Sequence, residues 1–374
     1  MTARITVLGA GLVGGAIARD LNRDHNVVVV DMDQERLALM KAQNVATRKM
    51  DVTDKAALAS LLQNADVVVG AVPGFMGYKV LKSVIEQGKP VVDISFFPED
   101  PFTLDDLARE QGVAAVVDCG VAPGMGNIIL GYHADRMDVE SYQCFVGGLP
   151  VKREWPWEYK AVFSPLDVIE EYTRPARFVL NGQSVTRPAL SDPELMDFPG
   201  IGTLEAWNSD GLRTLAQTMT IPNMIEKTLR YPGCIEYLRV LREGGFFSRK
   251  PVQVGDQQVR PLDVTAKLLR EQWRLNEGEE DLTVMKIVIE GRENRKPVRI
   301  TYVLEDHFDR EQNITSMART TGYTCAAVVN LVLEGALKSP GIYPPEFMGQ
   351  DENNFKLILR YLADRKVRYQ VYRD

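Results

Sequence analysis

The stretch Arg4-Ile5-Thr6-Val7-Leu8-Gly9-Ala10-Gly11-Leu12-Val13-Gly14, continued by Ala16 to Leu21 and then Val27-Val28-Val29-Val30-Asp31, decides the fold. A β-branched apolar run, a glycine turn, a helix-forming segment and a second apolar run predict strand, turn, helix, strand. Gly9 permits the tight turn, Gly11 lets the backbone approach a pyrophosphate, and Gly14 lets the helix pack closely on the strand. The peptide N–H groups at the helix start, those of Leu12 and Val13 included, together with the positive end of the helix dipole suit phosphate oxygens. Asp31 stands twenty residues beyond Gly11, where its carboxylate can accept from both hydroxyls of an adenosine ribose. The order of these parts predicts dinucleotide binding; the competing reading is a glycine-rich turn with a structural aspartate.

The same segment selects between cofactors. A 2′-phosphate would meet the Asp31 carboxylate, and like charges in proximity cost several kcal/mol. Residues 32 to 35 are Met, Asp, Gln and Glu, with no cation among them, and Arg36 is expected to point to solvent. NAD is therefore expected rather than NADP.

Working outward, 374 residues are too many for one compact unit and imply two domains. With 45% hydrophobic and 25% charged residues, a packed core is expected and disorder is not. A net charge of −7 and the lack of a lysine-rich run argue against a nucleic-acid surface. Cys119, Cys144, Cys234 and Cys325 are far apart with no metal spacing, and three histidines are too few for a dense site, so no metal is expected. The first strand starts by residue 4 and no apolar run reaches membrane-spanning length. A cytoplasmic protein without a membrane partner is the expectation.

Along the chain, helices at 34–43, 54–63, 76–87 and 103–111 alternate with strands at 45–50, 66–70, 90–93 and 113–117. Continuous apolar strands between helices predict a parallel sheet covered on both faces, an α/β doubly wound Rossmann-type domain. From about 139 the texture changes. Strands are expected at 139–147, 176–180, 284–290 and 298–304, and helices at 165–172, 223–229, 234–243 and 261–271. Residues 282–306 read as a long hairpin, and such strands suit a sheet that carries substrate on one side and pairs with a second subunit on the other. A homodimer is expected.

Ligands in open α/β sheets bind beyond the carboxyl ends of the strands. That rule selects the glycine turn, the small residues Ala71-Val72-Pro73, the pair Asp93 and Ser95, and the loop Asp118-Cys119-Gly120-Val121-Ala122-Pro123-Gly124-Met125-Gly126-Asn127. Asp51 and Val52, at the end of the third strand, are candidates for the adenine, with a helix cap at 51–54 as the alternative. Asp118 is a candidate acid–base group, and Cys119 a candidate reactive thiol against the alternative of a buried, inert one. In the middle region Arg174, Arg177, Arg213 and Arg230 offer planar forks for carboxylates. The cluster Trp155-Pro156-Trp157-Glu158-Tyr159-Lys160 is a candidate cleft cover, or else a packed loop.

The loop 118–127 resembles the signature loop of the saccharopine dehydrogenase family. Gly147-Gly148-Leu149-Pro150 with Tyr159, Tyr172-Thr173-Arg174-Pro175 with Asn181-Gly182, and Leu204-Glu205-Ala206-Trp207 resemble the subgroup containing lysine 6-dehydrogenase. Lys227-Thr228-Leu229-Arg230-Tyr231-Pro232-Gly233 is similar to a segment shared across the wider family. The resemblance implies a discontinuous cofactor domain, 1–120 plus about 318–374, with a catalytic and dimerisation domain inserted at 121–317. It also implies oxidation of a C–N bond of a lysine-like amino acid, with Arg230 holding a carboxylate and Tyr159, Arg174 and Arg213 lining the substrate site. Cys234 stands where the family pattern has histidine, which departs from a narrow lysine assignment. The expected reaction is NAD-dependent oxidative deamination of the L-lysine ε-amine; a saccharopine-forming or saccharopine-cleaving dehydrogenase and a non-catalytic NAD-binding regulator are the alternatives.

Overall fold

The structure, a computed structural model, describes residues 2–161, 165–276 and 278–374. The chain divides into two compact units, Met1–Arg136 with Ala318–Arg368, and Met137–Met317 with Tyr369–Asp374.

The first unit is built on a parallel seven-stranded sheet. Its strands lie in the order Gly341–Tyr343, Ala114–Val116, Val91–Asp93, Val67–Gly70, Arg4–Leu8, Asn26–Asp31, Ala46–Lys49. The valine-rich strands carry side chains buried on both faces, as expected of a sheet sandwiched between helices. The strand order reverses beside Arg4–Leu8, which pairs with Asn26–Asp31 on one side and Val67–Gly70 on the other. A crevice forms at such a switch point because consecutive connections leave it in opposite directions. Five of these strands are legible as apolar runs; the edge strand Ala46–Lys49 is polar and mostly exposed, and Gly341–Tyr343 is too short to stand out and pairs with Ala114–Val116. Asp33, Asp54 and Asp351 cap the helices Gln34–Ala42, Lys55–Leu62 and Glu352–Asp364 with side-chain oxygens. Buried Asp20, on the helix Leu12–Leu21, accepts from Arg365 at 2.7 Å and from Tyr361 at 2.6 Å.

The first unit runs past the expected boundary at residue 120. The helix Met125–Ala134 crosses Pro345–Gln350 in backbone contact: a Cβ on Gly131 would stand 2.0 Å from the Glu346 carbonyl, and one on Gly349 would stand 1.9 Å from that of Ile128. The last six residues, by contrast, belong to the second unit, where Tyr369–Arg373 pairs with Lys296–His307.

The second unit holds a mixed nine-stranded sheet. Its main path runs Glu194–Phe198, Gly202–Asn208, Asn223–Arg230, Asp138–Pro150, Asp281–Glu293, Lys296–His307, Tyr369–Arg373. The hairpin Ala176–Leu180 and Gln183–Arg187 attaches to Asn223–Arg230. The long hairpin read at 282–306 is the pair Asp281–Glu293 and Lys296–His307. The expected helix at 223–229 is instead the strand Asn223–Arg230, flanked by Gly202–Asn208 and Asp138–Pro150. Met, Glu, Lys and Leu favour a helix in isolation, but the space between two strands left only an extended solution. The helices Pro165–Thr173, Cys234–Glu243 and Pro261–Gln272 pack over a separate core that includes Tyr172, Trp207, Leu238, Leu269 and Trp273.

Candidate active site

In the first unit the glycine turn has the properties a dinucleotide needs. Gly9 takes φ +114°, and a Cβ there would lie 2.3 Å from the Ala71 carbonyl; a Cβ on Gly14 would lie 2.2 Å from the Gly9 carbonyl. Those two positions are closed to any side chain by backbone. Gly11 differs, since the nearest atom to its Cβ position is Arg36 Nη1 at 3.7 Å, and no side chain caps the helix that begins at Leu12. The turn thus presents bare backbone N–H groups to open room, which fits a pyrophosphate.

Asp31, half-buried at the end of its strand, accepts from Ala10 N at 2.7 Å and from Asp33 N at 2.9 Å. Each carboxylate oxygen keeps a lone pair for a ribose hydroxyl. Arg36 is exposed, as expected; it pairs with Asp33 at 3.3 Å, and its Nη1 stands 3.7 Å from the Cβ position of Gly11. A cation therefore stands at the mouth of the turn. Asp51 is exposed and accepts from Thr53 N and Oγ1 at 2.8 and 2.7 Å, bonds that hold its carboxyl below the usual range; the helix cap is Asp54. Val52 is buried. Ala71 and Val72 leave the strand Val67–Gly70, and Pro73 precedes the helix Gly74–Glu86. Asp93 and Ser95 are almost fully buried; Asp93 accepts from Ser95 N at 2.8 Å, and a Cβ on Gly70 would collide with its carboxylate. Their side chains close a local turn instead of lining the surface.

The loop from Asp118 is fixed by its own backbone. Asp118 is buried at φ +51°, and Gly120 N donates to the Asp118 and Pro123 carbonyls at 3.1 and 3.0 Å. Gly124 takes φ +137°, where a Cβ would stand 1.9 Å from the Gly120 carbonyl. Its N–H donates to Asn127 Oδ1, and Asn127 Nδ2 donates in turn to buried Glu346 at 3.0 Å. Glu346 lies 219 residues further on, and no local signal marks it. Cys119 is wholly buried and its N–H donates to the Asp93 carbonyl. Burial, then the neighbouring Cys119 thiol and the Asp93 carboxylate, push Cys325 well above the usual thiol range. A thiol out of reach of solvent packs rather than reacts, which removes the reactive reading of Cys119.

The second unit brings together what the sequence placed far apart. Arg230, at the end of its strand, is 2% exposed. Its Nη2 donates to Glu171 Oε2 at 3.0 Å and its Nη1 to the Leu229 carbonyl at 2.9 Å. Its guanidinium carbon lies 4.3 Å from the Tyr159 ring centre and 5.6 Å from that of Trp207. Tyr172 packs 6.1 Å from both Trp207 and Trp273, and Tyr159 packs 5.3 Å from Trp273. This is an aromatic cage around a cation. Arg230 Nε, Tyr159 Oη, Tyr172 Oη, Trp207 Nε1 and Trp273 Nε1 are buried with no hydrogen-bond partner among the described residues. Each such group forfeits about 1–3 kcal/mol where no acceptor meets it.

Charge inside the cage is balanced. Burial opposes the Arg230 cation, but Tyr172, Tyr159, Glu171 and Cys234 outweigh it and hold the guanidinium above its usual range. Burial holds Glu171 above the usual carboxyl range despite Arg230. Cys234, the departure from the family's histidine, is buried beside Arg230 and pushed up to about 12, so it is a neutral thiol.

The remaining arginines are not in the cage. Arg174 pairs with Glu170 at 3.7 Å, and burial followed by nearby Arg213 lowers it. Arg177 forks onto Asp210 at 2.8 Å. Arg213 is buried at φ +50°. The aromatic segment 155–160 lines a cleft of about 440 Å³ with Lys152, Trp155, Trp157, Tyr159 and Lys160 on its walls. Tyr159 thus serves both the cleft and the cage. Glu171, Trp207 and Trp273 were not among the expected site residues. Glu171 adjoins Tyr172 in a segment already marked for its arginine, whereas nothing in the sequence around Trp273 sets it apart from a core tryptophan.

The saccharopine dehydrogenase NADP binding domain matches residues 5–116, and the saccharopine dehydrogenase C-terminal domain matches residues 120–367. The saccharopine dehydrogenase [NADP(+), L-glutamate-forming] of Pyricularia oryzae is 24% identical over 425 residues, covering 92% of this chain and 94% of the fungal one. The mitochondrial alpha-aminoadipic semialdehyde synthase of mouse is 26% identical over 277 residues, covering 69% of this chain, which spans only 30% of that protein. The apo saccharopine dehydrogenase (L-Glu forming) of Saccharomyces cerevisiae has the same fold, with a TM-score of 0.79 at 20% identity and full coverage of both chains. The glycine turn, the loop after Asp118 and the strand ending in Arg230 all fall inside the matched domains, and the chain belongs to the saccharopine dehydrogenase family of oxidoreductases, with a pyridine-nucleotide-binding domain.

Proposed function

We propose that this protein is an NAD-dependent oxidoreductase acting on a C–N bond of a lysine-like amino acid, and that its reaction is oxidative deamination of the L-lysine ε-amine to the 6-semialdehyde. The observation that carries the reading is the Arg230 cage, a buried cation whose Nε–H has no hydrogen-bond partner among the described residues and suits a carboxylate. A bound nicotinamide would supply the hydride acceptor for the carbon that bears the nitrogen. Gly11, Leu12 and Val13 would hold the phosphates through their N–H groups, and Asp31 the adenosine ribose. The ε-ammonium must first lose its proton to free the amine lone pair. Free lysine titrates near pH ~10.4, so this step limits the rate unless the neutral amine is selected on binding. The rate with saturating lysine is expected to climb from pH ~7 to ~10, and a level profile over that range would remove deprotonation from the slow step.

A second reading is a saccharopine-type dehydrogenase that forms or cleaves a secondary amine. It is favoured by the names of the relatives, one of which matches over nearly its full length. Such a substrate carries additional carboxylates and calls for further open cations. Arg174 and Arg213 discriminate between the two readings: Arg174 lies 3.7 Å from Glu170 and Arg213 is buried, and engagement of both by substrate would favour the larger one. The deciding experiment is an absorbance screen for NADH and NADPH formation with lysine, ornithine and saccharopine. Turnover of lysine supports the first reading and turnover of saccharopine alone replaces it. No turnover with any amine would leave a cofactor-binding protein without this chemistry. A cytoplasmic homodimer is part of the same proposal, tested by fractionation and light scattering.

A further inference from the structure

We propose that Glu171 selects for an α-amino-acid head, receiving its ammonium group while Arg230 takes its carboxylate; this rests on reading the cage as the site of the substrate head. The inference starts from the geometry of the Arg230 fork. A carboxylate engages arginine most strongly along an edge that offers two parallel N–H groups, such as Nε and Nη2. Here Nη2 is held by Glu171 Oε2 at 3.0 Å, while Nε is buried and has no partner among the described residues. Glu171 therefore occupies half of the edge that an incoming carboxylate would take. Nη1 is turned to the Leu229 carbonyl and helps to fix the plane of the fork.

Charge accounting then identifies the ligand class. Arg230 is 2% exposed and the Glu171 side chain 20% exposed, so the pair is largely withdrawn from water and self-neutralising. A plain carboxylate entering the cage would leave two anions facing one cation. A plain amine would leave two cations facing one anion. A buried unbalanced charge is costly, whereas a zwitterion exchanges one neutral pair for two. The α-ammonium lies one bond from the carbon bearing the carboxylate, so a head group seated on Arg230 brings it to the carboxylate that it displaces. The faces of Tyr159 and Trp207, already beside the guanidinium, favour a second cation there. Among the described residues Glu171 hydrogen-bonds to Arg230, while Arg174 and Asp167 act on it through charge alone, so turning to the ammonium breaks that one bond.

The test uses calorimetric titration of the full chain in excess NADH with three unreactive probes. L-norleucine carries the complete head and an aliphatic tail, hexanoate is the same molecule without the α-ammonium, and pentylamine is the same molecule without the carboxylate. L-norleucine is expected to bind more than about tenfold tighter than either. In Glu171→Gln, which keeps the shape and a hydrogen-bond acceptor, the norleucine-to-hexanoate ratio is expected to fall below about threefold, because hexanoate no longer meets a second anion. Hexanoate binding the unaltered protein as tightly as norleucine, binding of none of the three, or an unchanged ratio in Glu171→Gln would each overturn the proposal. The first two outcomes are read on the unaltered protein and hold even where the variant does not fold. Failure of the redox reading looks different: the probes discriminate as expected while no amine yields NADH.

Discussion

The glycine turn of the first unit and the Arg230 cage of the second, the two candidate sites, are made in opposite ways. The turn is contiguous, built from backbone, and its recognition groups face open room, with Arg36 Nη1 the nearest atom to the Gly11 Cβ position. The cage draws Tyr159, Glu171, Trp207, Arg230 and Trp273 from separate segments, and several of its buried N–H and O–H groups have no hydrogen-bond partner among the described residues. The difference follows from the ligands. A dinucleotide is long and carries its own charges, so a turn with no side chains in the way can hold it. A small charged head must be wrapped and neutralised, and that requires side chains converging from several elements.

The sharpest break of this contrast is within the turn itself. Gly9→Ala forces a Cβ against the Ala71 carbonyl at positive φ, and a loss of about 3 kcal/mol or more in stability is expected on denaturant titration. Gly11→Ala should leave stability within about 0.5 kcal/mol while weakening NADH binding more than about tenfold by calorimetry. Equal damage to stability from both would mean that the turn is only structural.

Next in size is the cage. Arg230→Met leaves Glu171 largely buried without its cation, so about 3 kcal/mol of stability should be lost, together with at least ~100-fold in kcat/KM. The double variant with Glu171→Gln should recover much of the stability and none of the activity. Recovery of both would show the pair to be scaffolding.

A smaller effect sharpens the cofactor side. Asp31 and Arg36 bring opposite charges to the mouth of one turn, so they should move cofactor choice in opposite directions. Asp31→Ser is expected to improve kcat/KM for NADP by about tenfold relative to NAD, and Arg36→Ala to lower it by a similar factor. Steady-state kinetics with both cofactors checks this, and a change of the same sign in both variants would defeat the argument.

The smallest expected effect is on pH and stability. Burial raises the Glu171 carboxyl above its usual range in the folded chain. The folded state then holds its proton to higher pH than the unfolded state, so stability is greatest below the unfolded value and falls as pH rises through the folded one. Glu171→Gln should flatten this slope by less than about 1 kcal/mol between pH ~4 and ~7. A steeper slope in the variant would reverse the sign assigned here.

Much of the first unit could be read directly because its signals are local. Valine runs, caps such as Asp33 and Asp54, and the glycine spacing act within a few residues of where they appear. Reading failed where tertiary packing outweighed local preference. Asn223–Arg230 has helix-forming residues yet fills a gap between two strands. Asp93 and Ser95 stand at a strand end, as the switch-point rule requires, but their side chains were spent on each other.

By itself the sequence determined the doubly wound sheet and the pyridine-nucleotide turn, since each rests on periodicity or on a contiguous motif. Only the tertiary structure decided that Glu171 faces Arg230, that Trp207 and Trp273 wall the same cage, and that Cys119 is sealed from solvent. The physical reason is range: strand, helix and turn are set by neighbours along the chain, whereas pairing of buried charges and desolvation of a thiol are set by whichever distant segments the fold brings into van der Waals contact.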